Sequence, residues 1–235
     1  MKLLKSIAII TARGGSKRIP KKNIKEFCGK PIIAYSIMAA IQSQMFDKVI
    51  VSTDSYEIAS VATQYLAEVP FLRSDNTSND YATTADVLVE VLERYQELGI
   101  QFENFCCIYP TAPFVNAKKL QEAMSILERE HVDSVVPVVK YDFPPQRSFV
   151  INNGMIKYRY PEWATARSQD LEPMYHDCGQ FYACKVSSFM EHKSVIMPSS
   201  FPLIIPSTEV QDIDEYSDWD LAEIKFSKLL SRHEE

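Results

Sequence analysis

The stretch ITARGGSKRIPKKN, residues 10 to 23, places two glycines, a serine and five cations directly behind the apolar run Ser6 to Ile10. Glycines at 14 and 15 can adopt φ > 0, which lets successive backbone N–H groups converge on one concavity. Lys17, Arg18, Lys21 and Lys22 add full charges around it. Such a loop suits a polyphosphate. It is not a P-loop, because no glycine precedes Gly14 at the required offset, and it is not G-x-G-x-x-G. A solvated basic turn is the alternative, and the position behind a buried strand favours phosphate binding.

The second cluster is VQDIDEYSDWD, residues 210 to 220. In extended chain, residues two apart share a face, so Asp212 and Asp214 point one way and Ile213 the other. Neighbouring carboxylates repel unless a cation sits between them. A hard divalent ion such as Mg²⁺, which prefers carboxylate and phosphate oxygens, would suit. The same acids could instead serve the positive end of a helix beginning near Ser217. The residues alone leave both readings open; a phosphate loop in the same chain favours the metal.

Other chemistries lack their parts. His131, His176, His192 and His233 are the only histidines, and none lies in an H-x-x-x-H or G-x-S-x-G context. His131 and His233 read as surface residues at helix ends, and His176 as a residue that could face a ligand. A phosphate cradle, lysines and a carboxylate-held metal point to phosphoryl or nucleotidyl transfer. That chemistry depends on positioning and charge neutralisation more than on a covalent nucleophile.

These clusters need a scaffold. Ser6–Thr11, Lys48–Thr53, Phe105–Tyr109 and Asp133–Val139 read as buried strands, with a short one near Val69–Leu72. Helices are expected from Pro31, from a Ser55 cap through about Tyr65, and from a Thr83 or Thr84 cap to Gly99. Two more cover Ala117–Glu130 and Asp218–Leu230. This alternation implies an α/β fold with a doubly wound, mostly parallel sheet, read as one domain over residues 1–235. Ligands in such sheets bind beyond the carboxyl ends of the strands, where the basic loop and Ser52–Asp54 both lie. From about 140 to 178 the rhythm breaks. RSFVINNGMIKYRY reads as a hairpin turning at Asn152–Gly154, followed by PEWATARSQDLEPMYHDCG. This is an inserted arm that covers a site or exchanges with a second subunit.

The 235 residues carry 25 basic and 31 acidic side chains, a net charge of −6 that argues against general nucleic-acid binding. No apolar run approaches the roughly 20 residues a membrane span needs. MKLLKSIAII, followed by Arg13 without an A-x-A-like site, reads as a strand rather than a signal peptide. Cys28, Cys106, Cys107, Cys178 and Cys184 form no C-x-x-C pair, which suggests reduced thiols and a cytoplasmic location. Cys106 and Cys107 read as core residues.

In order, ARGGSKRIPKKN, VIVSTD, FLR, YPTAP and DIDEYSDWDLAE resemble the CMP-acylneuraminate synthetases over nearly the whole chain. CCIYPTAPF and SQDLEPMYHDCGQFY are most similar to the bacterial branch that activates pseudaminic acid. The resemblance implies a Rossmann-like nucleotidyltransferase fold with a dimerisation or lid arm, a homodimer, CTP and Mg²⁺, and a nine-carbon 2-keto acid sugar. Ala12, Arg13, Gly14, Gly15, Ser16, Lys17 and Lys22 would hold the triphosphate, and Asn23 the ribose or phosphate region. Arg73 and Thr84 would border the cytosine. Asp212 and Asp214 would carry Mg²⁺. Arg167 would meet the sugar carboxylate, with Tyr109, Gln180 and Tyr182 facing the sugar. Arg13, Lys22, Asp212 and Asp214 form the expected catalytic set.

Sialate enzymes usually read Q-P-T-S-P-L-R where this chain has Tyr109-Pro110-Thr111-Ala112-Pro113-Phe114-Val115. Replacing glutamine and arginine by Tyr109 and Val115 favours a nonulosonic acid with a less polar terminus, though ordinary core packing is open for the aromatics. The implied reaction is in-line attack of the sugar's anomeric hydroxyl on the α-phosphorus of CTP, with pyrophosphate leaving. Alternatives are a cytidylyltransferase for sialic, legionaminic or another keto acid sugar, a metal-dependent glycosyltransferase, and a non-catalytic nucleotide-binding protein.

Overall fold

Ser6 to Ile10 are all buried, so β1 (Lys2–Thr11) has no wet face along this stretch and must be covered from both sides. The computed structural model describes residues 2–231 and shows how this is done. After β1 come the short ribbon β2 (Glu26–Phe27) and β3 (Lys30–Pro31), then α1 (Ile32–Ser43), β4 (Lys48–Ser52) and α2 (Tyr56–Gln64). Next are α3 (Asp75–Ser78), α4 (Thr84–Glu97), β5 (Ile100–Ile108), α5 (Ala117–Arg129) and β6 (Ser134–Lys140). The hairpin β7 (Phe149–Asn152) and β8 (Met155–Tyr158) precedes β9 (Tyr175–Asp177), β10 (Phe181–Lys185) and α6 (Val186–His192). β11 (Ser200–Ile204) and α7 (Tyr216–Ser231) complete it.

The central sheet runs β11-β6-β10-β5-β1-β4, with β9 also on β6. β4, β1 and β5 are parallel, as are β6 and β11, whereas β10 and β9 run antiparallel to their neighbours. Ile33, Ile37 and Ala40 of α1, with Leu120, Ala123 and Leu127 of α5, cover one face. Leu88, Val91 and Tyr95 of α4, with Phe189 of α6, cover the other. The expected doubly wound α/β sheet is therefore present. The chain leaves β1 for β4 on one side and returns to β5 on the other. A crevice opens at such a reversal, beyond the carboxyl ends of β1 and β5.

The local signals held where a side chain makes the boundary. Ser55 Oγ accepts from Ile58 N–H at 3.4 Å to start α2. Thr83 and Asp86 form a reciprocal capping box at α4, and Gly99 takes φ +77 behind it. Asn153 and Gly154 both have positive φ, as the two-residue turn between β7 and β8 requires. The strand expected near Val69–Leu72 reduces to one bridge, Ile50 with Glu68. Pro70 lacks the N–H that would carry the ladder further. α1 starts at Ile32, with Pro31 as its cap, and neither α6 nor β11 was visible in the hydrophobic pattern. Cys106 and Cys107 are core residues, and all five cysteines are free. His131 is exposed after α5; His233 lies outside the described residues. No helix among the described residues is long and apolar enough to cross a membrane.

Candidate active site

The basic loop leaves β1 at Thr11, and Ala12 N–H still donates to Ser52 carbonyl at 2.9 Å, so the loop begins in register with β4. The glycines work differently from the expectation. Neither has positive φ, and the left-handed residue of the loop is Lys21 at φ +53. Gly14 N–H is taken by Asp54 Oδ1 at 2.7 Å, and a Cβ at Gly14 would come within 3.2 Å of Ser55 Cβ. Gly14 is thus needed for close approach to the β4–α2 turn, while a Cβ at Gly15 would meet open space. Side chains, more than a nest of free N–H groups, make this loop electropositive.

Those side chains line a cavity of about 500 Å³. Arg13, Ser16, Lys17, Lys22 and Asn23 form the loop's wall of it, and Arg73, Thr84 and Tyr109 line it from other segments. Ala12, Gly14 and Gly15 lie behind this wall as backbone support. Asn23 Nδ2 donates to Arg13 carbonyl at 2.9 Å, bracing the loop. Arg73 is buried, its Nε and Nη2 donating to Ser52 Oγ at 3.1 Å and Ser52 carbonyl at 2.6 Å. One cation of the cavity wall is thereby fixed to β4.

A second cavity, of about 720 Å³, lies beside the first and shares Tyr109 with it. Its walls include Lys140, Tyr141, His176, Asp177, Tyr182 and Asp212. Cys178 to Gln180 interrupt the strand that β9 and β10 would otherwise form along β6. The interruption brings Asp177 against Tyr182, whose hydroxyl donates to Asp177 Oδ2 at 2.5 Å. Burial, then Tyr109 and Asp177, push the Tyr182 phenol far up, and burial also raises Tyr109. Both tyrosines are neutral hydrogen-bonding walls. His176 lies against Tyr141 with ring centroids 4.7 Å apart and planes tilted by 52°, and it lines this cavity.

The carboxylate segment reaches both cavities, because Asp212 lines the second and Asp214 pairs with Arg18 and Lys22 on the wall of the first. Ile213 is buried with Ile19, Phe27 and Trp219, so Asp212 and Asp214 project away from that core, as the alternation requires. Arg18 Nη2 meets Asp214 Oδ1 at 2.6 Å. Lys22 Nζ donates to Ile213 carbonyl at 2.6 Å and lies 3.7 Å from Asp214. The start of α7 is served by neither acid: Asp218 Oδ2 accepts from Asp214 and Glu215 N–H at 3.0 and 2.9 Å. Asp212 and Asp214 therefore do not cap α7 by hydrogen bonding, and Asp214 pairs with the basic loop instead. Partial desolvation, then the charge of Asp214, raises the Asp212 carboxyl, and Lys22 partly offsets the rise. Two carboxylates suffice for Mg²⁺ when phosphates supply further oxygens, so the residues fit that ion. Among the described residues no group of three or more His, Cys, Asp or Glu could hold a metal alone.

Two expected sugar residues sit elsewhere. Gln180 is buried behind the second cavity, its Nε2 donating to Glu209 carbonyl at 2.7 Å. With Lys119, paired to Glu209 at 2.7 Å, it anchors the segment leading to Asp212. Arg167 lies out on the arm, paired with Asp170 at 2.7 Å and on the wall of neither cavity. The sequence reading missed Asp80, Lys140 and Asp177. Asp80 lies between Arg73 and Thr84, and an acid inside that segment was the available signal.

A parallel switch point with a cation-lined cavity, a second cavity sharing Tyr109 with it, and a carboxylate pair held by the basic loop is the arrangement of a nucleotidyltransferase. Comparison with known proteins narrows the class. The sequence model of the Cytidylyltransferase family matches residues 7–192, and the chain belongs to that family. The pseudaminic acid cytidylyltransferase of Campylobacter jejuni is 38% identical over 95% of this chain and 97% of its own length. The CMP-N,N'-diacetyllegionaminic acid synthase of Legionella pneumophila is 34% identical over 99% of each chain. A CMP:2-keto-3-deoxy-manno-octonic acid synthetase solved with CTP has the same fold, with a TM-score of 0.68 at 16% identity, covering 96% of this chain and 99% of that one. The resemblance to CMP-acylneuraminate synthetases carried by the motifs agrees with these relatives.

Proposed function

We propose that this protein transfers CMP from CTP to the anomeric hydroxyl of a nonulosonic acid, pseudaminic acid, releasing pyrophosphate. The observation that carries the reading is the pair of cavities sharing Tyr109, one lined by Arg13, Lys17 and Lys22, the other by aromatic rings together with Lys140, Asp177 and Asp212. The sugar oxygen–phosphorus bond forms as the bond from the α-phosphorus to the pyrophosphate oxygen breaks. Arg13, Lys17 and Lys22 neutralise charge growing on the leaving group. Arg73 and Thr84 hold the base end of the nucleotide. Tyr109 and Tyr182 orient the sugar and exclude water. Asp212 and Asp214 would hold Mg²⁺, which supplies Lewis-acid polarisation of phosphate oxygens when bound.

The proposal includes a homodimer in which the arm brings Arg167 to the partner's second cavity. Its support is the exposure of apolar Ile151, Met155 and Ile156 on the β7–β8 hairpin, at 74%, 69% and 66%. Five free cysteines support a cytoplasmic location.

The test incubates the protein with CTP, Mg²⁺ and a panel of nonulosonic acids, and identifies the product by mass spectrometry against isomer standards. CMP-pseudaminic acid with pyrophosphate is the expected result. Preference for legionaminic or sialic acid would move the substrate assignment. Free CMP without pyrophosphate would indicate glycosyl transfer, and no turnover a binding protein.

A further inference from the structure

Every cation of the basic loop is already matched by a carboxylate. Lys21 pairs with Glu57 at 2.7 Å, and Arg18 and Lys22 face Asp214. The remaining two converge on one residue: Arg13 Nη1 lies 2.8 Å from Asp80 Oδ1, and Lys17 Nζ lies 2.5 Å from Asp80 Oδ2. Asp80 itself lines the nucleotide cavity. One carboxylate bridging an arginine and a lysine offers them the charge and oxygen geometry that a phosphate group would offer.

Asp80 is held in this place by its own segment. Asn79 Oδ1 accepts from Tyr81 and Ala82 N–H at 2.9 and 3.0 Å, turning the chain between α3 and α4. Upstream, Ser74 N–H and the Thr77 hydroxyl donate to the Glu90 carboxylate on α4. Downstream, the Thr83–Asp86 capping box fixes the start of α4. The carboxylate is therefore tethered beside the cations, and its local concentration there does not fall when a ligand arrives. Lys17 first and Arg13 second hold its carboxyl below the usual range, so it stays charged at neutral pH.

We propose that Asp80 is a built-in competitor for the nucleotide's phosphates, holding Arg13 and Lys17 in the free enzyme and giving them up to the incoming triphosphate. The proposal rests on the assignment of these cations to the triphosphate. Its functional effect is to weaken binding of CTP and of the pyrophosphate product alike. Tight uniform binding adds nothing to turnover once substrate is saturating, and product release limits turnover in many enzymes. A tethered acid that reclaims the cations speeds that release.

The test measures CTP binding, and separately pyrophosphate binding, by calorimetry with Mg²⁺ for wild type, Asp80→Asn and Asp75→Asn. Asp80→Asn is expected to bind both ligands between about twofold and about thirtyfold tighter, the range for losing two exposed ion pairs. The KM for CTP should fall with it. Asp75 is exposed on α3, so Asp75→Asn changes net charge equally without touching the cations and should leave both affinities unchanged. Equal tightening by both variants would reduce the effect to long-range charge and overturn the proposal. Unchanged or weaker binding by Asp80→Asn would also overturn it, because Asp80 would then be supporting Arg13 and Lys17. Misfolding cannot mimic tighter binding. If wild type binds pyrophosphate but not CTP, the nucleotide assignment fails alone; if it binds neither, both fall.

Discussion

Tyr109 and Tyr182 meet edge to face, ring centroids 5.7 Å apart, with Tyr109 on the boundary shared by both cavities. The Tyr109 hydroxyl is also 3.3 Å from Thr84 Oγ1 on the nucleotide side. Tyr109→Phe keeps the ring and loses one hydrogen bond, worth about 0.5–1.5 kcal/mol, so kcat/KM should fall about two- to twelvefold. Tyr109→Ala removes the boundary and should cost about a hundredfold, mostly through the sugar's KM and kcat. Steady-state kinetics varying CTP and sugar separately checks this. Equal small losses for both substrates would make the ring a packing residue only.

Lys22 links the two halves of the site, reaching from the basic loop to Ile213 carbonyl and Asp214. Lys22→Met should lower kcat/KM by about a hundred- to a thousandfold, the cost of losing a preorganised charge at a developing anion. Asp214→Ala should abolish CMP-sugar formation while the circular dichroism spectrum stays unchanged. Mg²⁺ is expected to raise the Tm of the CTP-bound wild type, and Asp214→Ala should lose that rise. Normal turnover by Asp214→Ala at ordinary Mg²⁺ would remove the metal assignment.

The cap of α4 gives a pH-dependent prediction. Hydrogen bonds from the Thr83 hydroxyl and then the Thr83 N–H hold the Asp86 carboxyl below its usual value of 3.8. A depressed carboxyl stabilises the fold above the unfolded value, and that stabilisation is lost as pH falls through the folded value. Asp86→Asn should therefore lower Tm at neutral pH, with the gap to wild type closing as pH falls below about 4. Thr83→Ala should cost about 0.5–2 kcal/mol in urea unfolding. A gap that is constant with pH would show that the carboxylate's charge plays no part in the cap.

Arg167 tests the proposed sharing of a site between subunits. Arg167→Ala and Asp214→Ala should each be inactive as homodimers. Mixed and allowed to exchange, they should recover activity toward about a quarter of wild type, since one site in each mixed dimer then keeps both residues. No recovery despite exchange, verified by native mass spectrometry, would place Arg167 in its own subunit's site or outside the chemistry.

The alternation of buried strands and amphipathic helices was legible because hydrophobic period and capping residues act over a few neighbours, as at Ser55, Thr83 and Asn153-Gly154. The cations of residues 13–22 and the pair Asp212 and Asp214 were legible for a similar reason, since charge clusters and i, i+2 spacing are local. What the glycines did was not. Their type permits positive φ, but Gly14 is used for close approach to Ser55, a contact between segments about 40 residues apart that no local pattern encodes.

The sequence by itself determined the fold class, the electropositive loop and the carboxylate pair. Only the tertiary structure decided which acid serves which partner. Asp218 takes the helix start, Asp214 meets Arg18 and Lys22, Asp212 turns to the second cavity, and Asp80 sits on Arg13 and Lys17. It also placed Gln180 behind the site and left Arg167 on the arm. Charge pairing depends on distances across the fold, falling with separation and solvent screening, so it is settled only when the sheet and its loops are assembled.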